Sequence, residues 1–309
     1  MSRKGCGFES HLRHLKPKII VLIGPTSSGK SALAVELARR FGGEVISADS
    51  RQVYRGLDIG TGKVTKREMK GVRHHLLDVA SPKKIFTAHD FVVCGRRVIA
   101  DIARRGKLPI IAGGTGFYID ALVGRVAFPN VAANSKLRAR LEKKTAKELF
   151  AVLKKSDPRR AKTIEPHNKR RLIRALEIAV SLGRSPMIEI RSQSFDVLWI
   201  GTTLSQKELD GKIRARLAAR LRRGMAAEAR RLHTAGLSYK RMETLGLEYR
   251  ALARFLQGKL TREEMIEKLN RDIRRYAKRQ MTYWKRNEEI RWFRSTQKRE
   301  IIKIVRDWM

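Results

Sequence analysis

The stretch that decides the fold is GPTSSGKS, residues 24–31, which follows the apolar run KIIVLI (18–23) and precedes ALAVELARRFGG (32–43). Two glycines separated by four residues and followed by Lys and Ser form the phosphate-loop pattern. The β-branched run before the loop predicts a buried strand, and the apolar spacing after it predicts a helix. A loop between a strand and a helix N-terminus directs backbone N–H groups at one anion. We therefore predict a phosphate-binding loop, with the Lys30 charge and the Ser31 hydroxyl, a typical Mg²⁺ ligand, beside it.

The composition predicts a globular, strongly basic protein with an anionic partner. The chain has 309 residues, 42% of them hydrophobic, which is typical of a folded protein and excludes a disordered one. It carries 69 Lys and Arg against 30 Asp and Glu, a formal net charge of +39. A field of this sign favours nucleic acid as the partner, and a charged surface retained for solubility is the alternative.

The chain carries no sign of a secreted or membrane protein. Cys6 and Cys94 have neither metal-ligand nor disulfide-framework spacing. The basic N-terminal residues are followed by no apolar segment of the secretory type, and no apolar run reaches the length of a membrane span. We therefore expect a cytoplasmic protein without membrane contact.

The order of the sequence patterns predicts an α/β fold with an inserted helical domain. Strand and helix patterns alternate from 18 to 130, which predicts a P-loop NTPase-like parallel sheet flanked by helices. Basic amphipathic helices fill 131–190, a strand pattern returns at FDVLWIGTTL within 191–309, and the rest of that segment is predicted to be helical. Residues 1–17 are predicted to be an N-terminal extension.

Three polar residues lie where strands of such a sheet would end, which is where ligands bind. Asp49 and Ser50 end the second strand pattern, EVISADS, and Thr115 lies in the GGTG turn after the third. Asp49 is either a helix N-cap or a general base beside the phosphate. Thr115 either belongs to a plain tight turn or offers its hydroxyl to the same phosphate. The chain shows no apolar run that ends in an acid pair, which argues against a nucleotide hydrolase.

The last helical pattern mixes aromatic and basic residues. RDIRRYAKRQMTYWKRN, residues 271–287, places Ile273, Ala277 and Trp284 at helical steps, with Gln280 or Met281 between the last two. Arginine-rich helices are usually solvated faces. The net charge and the aromatic residues among the basic ones instead favour an RNA-contact surface, which would include Tyr276, Tyr283, Trp284 and Trp292.

Seven blocks of the sequence together resemble the tRNA dimethylallyltransferase (tRNA isopentenyltransferase) family. They occur in the family's order and span roughly residues 18 to 294: GPTSSGKSALAVELA, DSRQVYRGLDIGTGK, HHLLDV, PIIAGGTGFYIDAL, RRLIRALEI, RLRRGMAAEARRL and YAKRQMTYWKR. The DSRQVYRGLDIGTGK and GGTGFYIDAL blocks are highly specific, because a generic phosphate loop does not require them.

The resemblance implies transfer of a dimethylallyl group from dimethylallyl diphosphate to the N6 amine of the adenosine on the 3′ side of the anticodon. It implies Mg²⁺ as cofactor, held by Ser31, and the catalytic residues Asp49, Thr115 and Arg216. It assigns the diphosphate to Gly24, Pro25, Thr26, Ser27, Ser28, Gly29, Lys30 and Ser31. It assigns the tRNA path to Asp49, Ser50, Arg51, Gln52, Thr115, Arg138, Arg170, Arg171, Leu172, Ile173 and Arg174. The inserted segment 131–190 would thus be a tRNA-binding domain, and the protein a monomer.

The chain departs from the family pattern at three places. It has TLGLEYRAL at 244–252, where family members commonly carry an Ile-Gly-Tyr-Lys-Glu-like block, and Arg220 where a methionine is frequent. Its TLSQKEL segment, 203–209, lacks the arginine often found there. None of the three changes removes a proposed catalytic residue.

Three other functions would use the same loop. An adenylate isopentenyltransferase would prenylate free AMP, ADP or ATP, but it needs no strongly basic surface. A small-molecule kinase would bind ATP, but it leaves the DSRQVYRGLDIGTGK block unexplained. A non-catalytic RNA-binding protein is disfavoured because Lys30, Ser31, Asp49 and Thr115 are all intact.

Overall fold

The computed structural model describes residues 16–129, 131–183 and 194–309, and its strands and helices confirm the α/β class. In this part of the chain the strands are β1 Lys18–Ile23, β2 Gly43–Ala48, β3 His74–His75, β4 Leu108–Gly113, β5 Asp196–Thr203 and β6 Arg291–Arg294. The helices are α1 Lys30–Arg40, α2 Lys66–Met69, α3 Ala88–Arg104, α4 Gly116–Val123, α5 Ser135–Glu142, α6 Ala146–Ser156, α7 Pro158–Ala161, α8 Lys169–Leu182, α9 Gln206–Arg222, α10 Met225–Thr234, α11 Tyr239–Leu245, α12 Leu247–Leu256, α13 Arg262–Trp284 and α14 Lys298–Trp308.

The six strands form one parallel sheet in the order β3-β2-β4-β1-β5-β6. Val21 in the central strand β1 pairs with Ile111 of β4 on one side and Trp199 of β5 on the other. Because all strands are parallel, the carboxyl ends of β2, β4 and β1 lie side by side at one edge. The residues that follow these three ends carry the candidate site.

The sheet is buried on both faces, which explains why its strands read as continuous apolar runs. Along β1, Ile19, Val21 and Ile23 face one core layer, which includes Trp199 and Trp284. Alternate side chains of the strand face the opposite layer, formed with α1 and α14. A third apolar cluster lies among α9, α10, α12 and α13. α13 therefore contributes both to a sheet layer and to the helical C-terminal region.

Two local signals divide the predicted helical segments into separate helices. Gly224, with φ of +91°, separates α9 from α10, because this backbone conformation ends a helix and favours glycine. Thr145 begins α6 with a reciprocal capping box to Glu148 and thus separates α6 from α5.

The prediction that everything after the fifth strand is helical was wrong at β6. This four-residue strand continues the sheet beside β5, where Gly201 pairs with Trp292. A strand this short lacks the repeated alternation that would identify it in the sequence. Its pairing with β5 supplies the backbone hydrogen bonds that local sequence does not determine.

Contacts divide the described residues into two compact units. The larger lies within Met1–Gly124 and Gln193–Met309, and the smaller within Arg125–Ser192. The smaller unit has its own apolar core, formed among α5, α6, α7 and α8. Most of the predicted extension 1–17 and the predicted boundary at 190 lie outside the described residues. Among the helices described, none has the length and apolar character needed to cross a membrane.

Candidate active site

The phosphate loop joins β1 to α1 and is held from behind by β5. Gly24 has φ of +144°, and a Cβ there would lie 2.5 Å from the carbonyl oxygen of Thr202. The Ser28 hydroxyl is 2.7 Å from the Thr202 hydroxyl, which donates to the Ile23 carbonyl at 3.2 Å. The side chain of Ser28 is therefore occupied within the protein, and its backbone N–H donates to the Pro25 carbonyl at 3.3 Å, so this structure does not present Ser28 to an anion in the cavity. Thr26, Ser27, Gly29, Lys30 and Ser31 line the cavity in front of the loop.

Lys30 begins α1, and its charge state is sensitive to the site. Burial, followed by the positive charge of Arg216, lowers the pKa of Lys30 to about 7, while Asp49 opposes the shift. The Lys30 ammonium donates to the Pro25 carbonyl at 2.6 Å, across its own loop. A bound diphosphate would place negative charge beside Lys30 and thereby favour its protonated form. Anion binding and protonation of Lys30 are therefore coupled.

Asp49 follows the last residue of β2 and begins a tight turn. Its Oδ1 accepts hydrogen bonds from the N–H groups of Arg51, at 2.8 Å, and Gln52, at 3.3 Å. These bonds orient the carboxylate as an N-cap would, and they leave one oxygen with no assigned role in the turn. The capping and general-base interpretations are therefore compatible, because one oxygen can cap while the other accepts a proton.

Thr115 supports the Asp49 turn from the end of β4. Its hydroxyl accepts from the Ser50 N–H at 3.1 Å, and its own N–H donates to the Ala48 carbonyl at 3.2 Å. The neighbours Gly113 and Gly114, rather than Thr115, contribute to the cavity wall. This geometry allows Thr115 to position the residues around Asp49.

Gln280 on α13 bridges the phosphate loop and the loop after β4. Its Oε1 accepts from the Thr26 N–H at 2.8 Å, and its Nε2 donates to the Gly114 carbonyl at 2.9 Å. Gln280 is 5% exposed, so both hydrogen bonds are shielded from water. The helical spacing in the sequence predicted Gln280 or Met281 in the apolar stripe of α13 and indicated no role for Gln280. The available signal in the sequence was a polar residue at a helix position where the spacing predicts an apolar one.

Arg216 and Arg220, one turn apart on α9, contact the turn at 58–62. Arg216 Nη2 donates to the Gly62 carbonyl at 2.9 Å, and Arg220 Nη1 donates to the Gly60 carbonyl at 2.8 Å. Burial, followed by the charge of Arg220, lowers the pKa of Arg216. Arg216 lies in the wall of the cavity that faces Lys30 and Ser31. A second cation therefore joins Lys30 at the phosphate loop, as the resemblance implies.

Two cavities adjoin at Asp49. The first, which we name the loop chamber, has a volume of about 410 Å³ and is bounded by the phosphate loop (24–31), the ends of β2 and β4, and residues of α9 and α13. The second, the arginine chamber, has a volume of about 420 Å³ and is bounded by 49–51, 245–250 and 272–279. The residues that line both chambers are Thr26, Asp49, Thr61 and Tyr276.

The arginine chamber is basic and reaches the surface. Arg51 is half-buried in its wall, and Arg250, Arg275 and Arg279 are exposed there. The departing block at 244–252 forms part of this wall, where Glu248 accepts from Arg220 Nη1 at 3.0 Å. Two of the three departures from the family pattern, Arg220 and the 244–252 block, therefore meet in one ion pair. The chamber has the charge and the opening that a polyanion needs to insert one group toward Asp49.

The remaining predicted tRNA contacts lie in the smaller unit and differ in exposure. The side chains of Leu172 and Ile173 are buried in the core of that unit and are unavailable to RNA in this structure. Arg138 and Arg174 both pair with the buried carboxylate of Glu177. The exposed cations predicted there are Arg170 and Arg171, of which Arg171 lies 3.6 Å from Glu165.

The four aromatic residues expected at an RNA surface have different environments. Trp284 is 1% exposed and packs against Trp199 in the sheet layer, so the prediction of an RNA contact was wrong for this residue. Trp292 packs on Gly201 of β5. Tyr276 lines both chambers, and Tyr283 lies under the guanidinium of Arg286, 3.7 Å from its ring centroid. A helical apolar stripe explains Trp284 better than RNA binding does.

The donor set beside the loop fits Mg²⁺ only together with a phosphate ligand. Within the described residues there is no group of three His, Cys, Asp or Glu side chains that could hold a metal. The exposed Ser31 hydroxyl lies in the wall of the loop chamber. Mg²⁺ is commonly bound by one or two protein oxygens, phosphate oxygens and water. The predicted ligand Ser31 is therefore compatible with a diphosphate-bound Mg²⁺.

Comparison with known proteins identifies the family. The model of the family described as IPP transferase matches residues 52–287. The tRNA dimethylallyltransferase of Anoxybacillus flavithermus is 40% identical over 284 residues, 90% of this chain and 91% of that protein. The solved tRNA isopentenylpyrophosphate transferase of Bacillus halodurans superposes with a TM-score of 0.71 at 35% identity, covering 95% of this chain and 96% of that one. A eukaryotic dimethylallyltransferase acting on tRNA superposes with a TM-score of 0.84 at 28% identity, covering 94% of this chain and 79% of that one. The chain therefore belongs to the tRNA dimethylallyltransferase family.

Proposed function

We propose that this enzyme transfers the dimethylallyl group of dimethylallyl diphosphate to the N6 amine of the adenosine 3′-adjacent to the anticodon in tRNA, releasing diphosphate. Membership of the family supports the transferase activity and the tRNA substrate. The identity of the donor, the role of Mg²⁺ and the monomeric state are our proposals. The donor's diphosphate would bind in the loop chamber, and the acceptor base would enter through the arginine chamber.

The observation that supports this assignment most directly is the position of Asp49 in the wall common to both chambers. Transfer requires the allylic carbon of the donor to meet the amine of the acceptor without passage through bulk water. Two adjoining chambers, one at a phosphate loop and one rich in arginine, allow each substrate to enter separately. Their common wall would then hold the two reacting atoms beside the Asp49 carboxylate.

Asp49 would accept the proton that the acceptor amine loses, or orient that amine. The N6 amine of adenine is a weak nucleophile, and its nitrogen must lose a proton as the N–C bond forms. The Asp49 oxygen that is not engaged by Arg51 and Gln52 would accept that proton or orient the amine. The electron pair of the breaking C–O bond passes to the diphosphate oxygen, so atoms and charges balance.

The residues of the loop chamber would stabilise the departing diphosphate. Negative charge develops on the leaving oxygen as the C–O bond breaks, and fixed donors around it lower the barrier. These donors are the backbone N–H groups of the phosphate loop, the Lys30 ammonium and the Arg216 guanidinium. Thr115 would act by holding the Asp49 turn in register with them. Mg²⁺, where bound through Ser31, would neutralise further charge on the diphosphate.

The acceptor side would bind RNA in an opened form. A base in the anticodon loop must leave its stack to reach Asp49, at a cost of a few kcal/mol. Contacts of Arg250, Arg275 and Arg279 with phosphates would offset that cost. Arg51 and Ser50 would line the path of the base. Arg170 and Arg171 are exposed cations of the smaller unit, and we propose them as tRNA contacts of that unit.

A transfer assay tests the proposal. Radiolabelled dimethylallyl diphosphate and Mg²⁺ are incubated with the enzyme and an unmodified anticodon stem-loop, a stem-loop whose target adenosine is replaced by guanosine, or free AMP. We expect label in the adenosine stem-loop alone. Omission of Mg²⁺ and analytical ultracentrifugation test the cofactor and the monomeric state on the same preparation.

The other outcomes assign the chain elsewhere. Label in AMP at a comparable rate would make the enzyme an adenylate isopentenyltransferase. Label in the guanosine stem-loop would refute N6 of adenosine as the acceptor atom. Label in none of the three, with phosphate transfer from ATP to a small molecule, would identify a kinase.

A further inference from the structure

Glu228, a buried carboxylate outside both chambers, organises the turn that contacts Arg216. It lies in the first turn of α10 and is 3% exposed. Its Oε2 accepts from the N–H groups of Asp58, at 3.0 Å, and Ile59, at 2.6 Å. Its Oε1 accepts from the Gly60 N–H at 2.8 Å and from the Tyr249 hydroxyl at 2.7 Å. One carboxylate thus receives four hydrogen bonds, three of them from consecutive backbone N–H groups.

This arrangement is specific for an anion at position 228. Three successive N–H groups that point inward form a concave site complementary to negative charge. Glu228 also lies in the first turn of α10, where the positive partial charge of the helix N-terminus favours a carboxylate. Gly60 is needed for the close approach, because a Cβ there would lie 2.6 Å from the Tyr249 hydroxyl oxygen. A neutral amide cannot satisfy all four donors, since half of its polar atoms donate.

The turn held by Glu228 reaches the phosphate loop through Arg216. The carbonyl of Gly62, two residues after Gly60, accepts from Arg216 Nη2 at 2.9 Å. That bond uses one of the five N–H donors of the guanidinium and leaves others for a ligand. Arg220 anchors the Gly60 carbonyl from the same helix. The orientation of Arg216 in the loop chamber therefore depends on a turn whose backbone is fixed by Glu228.

We propose that Glu228 is a positioning residue that fixes the turn at 58–62 and thereby aims Arg216 at the departing diphosphate. This inference rests on the proposed function, which gives Arg216 a leaving group to stabilise. Glu228 touches no substrate. Its effect on the reaction passes through Gly62 and the guanidinium of Arg216.

A double-mutant cycle tests the connection. Glu228→Gln and Arg216→Ala are made singly and together, and kcat for stem-loop prenylation and the affinity for inorganic diphosphate are measured for each. We expect Glu228→Gln to lower kcat about ten- to a hundredfold, the range for a displaced catalytic group, and to leave KM for the stem-loop unchanged. In the Arg216→Ala background the same change should lower kcat less than threefold, because the group it positions is gone.

Matched variants separate positioning from stability. Tyr249→Phe removes one donor from Glu228 but keeps the three backbone contacts, so its kcat should remain within about threefold of the wild type. Glu228→Asp retains the charge and replaces Glu228→Gln if the latter fails to fold. Hydrogen exchange should show lost protection confined to the amides of Asp58, Ile59 and Gly60.

Two results would overturn the inference. One is a wild-type kcat in Glu228→Gln, and the other is an equal loss of kcat in both Arg216 backgrounds. If the wild-type enzyme transfers no prenyl group, the proposed function fails instead. In that case the affinities for inorganic diphosphate, measured by calorimetry on the same variants, still decide whether Glu228 acts through Arg216. A smaller effect of Glu228→Gln on this affinity in the Arg216→Ala background does not require turnover.

Discussion

The loop chamber and the arginine chamber have nearly equal volumes but are built in different ways. The loop chamber contains six residues of one local motif, the stretch 26–32 without Ser28, and is completed by residues of β2, β4, α9, α13 and the loops between them. The arginine chamber combines short pieces from 49–51, 61, 245–250 and 272–279. The backbone donors of the anion site are therefore a property of a local motif, whereas the side chains that complete the loop chamber and the whole of the arginine chamber are assembled only when the helices have packed.

The two chambers also differ in how their charges act. In the loop chamber, burial lowers the pKa values of Lys30 and Arg216, so these cations meet a ligand with little intervening water. In the arginine chamber, Arg250, Arg275 and Arg279 are exposed. Exposed charges attract a polyanion over several ångströms, and salt screens them strongly. Donor binding should therefore be governed by contact and acceptor binding by ionic strength.

The largest expected effect is at the wall common to both chambers. Asp49→Ala should lower kcat by about two to four orders of magnitude, because it removes the group that receives the proton. Asp49→Asn is the matched control for the turn, since its Oδ1 can still accept from Arg51 and Gln52. Both variants should bind the stem-loop within about twofold of the wild type by fluorescence anisotropy. Wild-type turnover in Asp49→Asn would eliminate the proton-accepting role.

Lys30→Ala should affect the loop chamber alone. Loss of a charge-assisted contact corresponds to about ten- to a hundredfold weaker binding of diphosphate, measured by calorimetry. The affinity for the stem-loop should not change, because Lys30 does not line the arginine chamber. An equal loss of both affinities would mean that the variant is misfolded rather than locally altered.

Gln280→Leu should disturb the geometry between the donor and Asp49. It leaves the Thr26 N–H and the Gly114 carbonyl unpaired, and the loss of two neutral hydrogen bonds predicts a kcat about five- to thirtyfold lower. Gln280→Glu retains the acceptor for the Thr26 N–H, so its kcat should lie between those of Gln280→Leu and the wild type. Single-turnover rates with saturating stem-loop give the comparison. If Gln280→Leu turns over like the wild type, the bridge has no role in alignment.

The pH dependence of diphosphate binding should report Lys30. Its pKa in the free enzyme is about 7, and a bound anion raises that pKa by favouring the charged form. Affinity should therefore be constant with respect to Lys30 well below pH 7 and should fall by up to about fivefold as the pH rises from 7 to 8.

Lys30→Arg is the control for this pH series. Its guanidinium stays protonated throughout, while the ionisation of diphosphate itself contributes equally to both proteins. The difference between the two pH profiles gives the contribution of Lys30 protonation to diphosphate affinity. Parallel profiles would show that Lys30 remains fully charged in the free enzyme.

The smallest expected effect is on the arginine chamber. Arg275→Ser with Arg279→Ser should weaken stem-loop binding several-fold at physiological salt. The slope of log affinity against log salt should fall by about one to two, the value for one or two lost phosphate contacts. Diphosphate affinity should not change. An unaltered salt slope would place the RNA surface elsewhere on the protein.

Prediction from sequence succeeded where the determinants were local. The phosphate loop, the strands around it and the position of Asp49 at the end of β2 follow from glycine spacing and apolar runs. Helix boundaries set by Gly224 and Thr145 were missed, although both residues carry recognisable signals. Strand β6 was missed because four residues at a sheet edge have no periodicity to read.

The residues around the site were harder to identify when their partners are distant in the chain. Gln280 contacts Thr26 across 254 residues, and Glu228 contacts Gly60 across 168. Neither residue belongs to a motif with a fixed spacing to its partner. The burial of Trp284 shows the opposite problem, because an aromatic residue among basic ones can belong to the core.

The sequence by itself determined the phosphate loop, the α/β class, the basic character and the family, because each depends on local spacing or on composition. Only the tertiary structure decided which side chains surround the anion and which carboxylates are engaged. It brought Asp49, Arg216 and Gln280 together and placed Glu228 behind them. The physical reason is that hydrogen bonds and ion pairs require positions within about 3 Å, and only packing of the helices against the sheet sets such distances between remote residues.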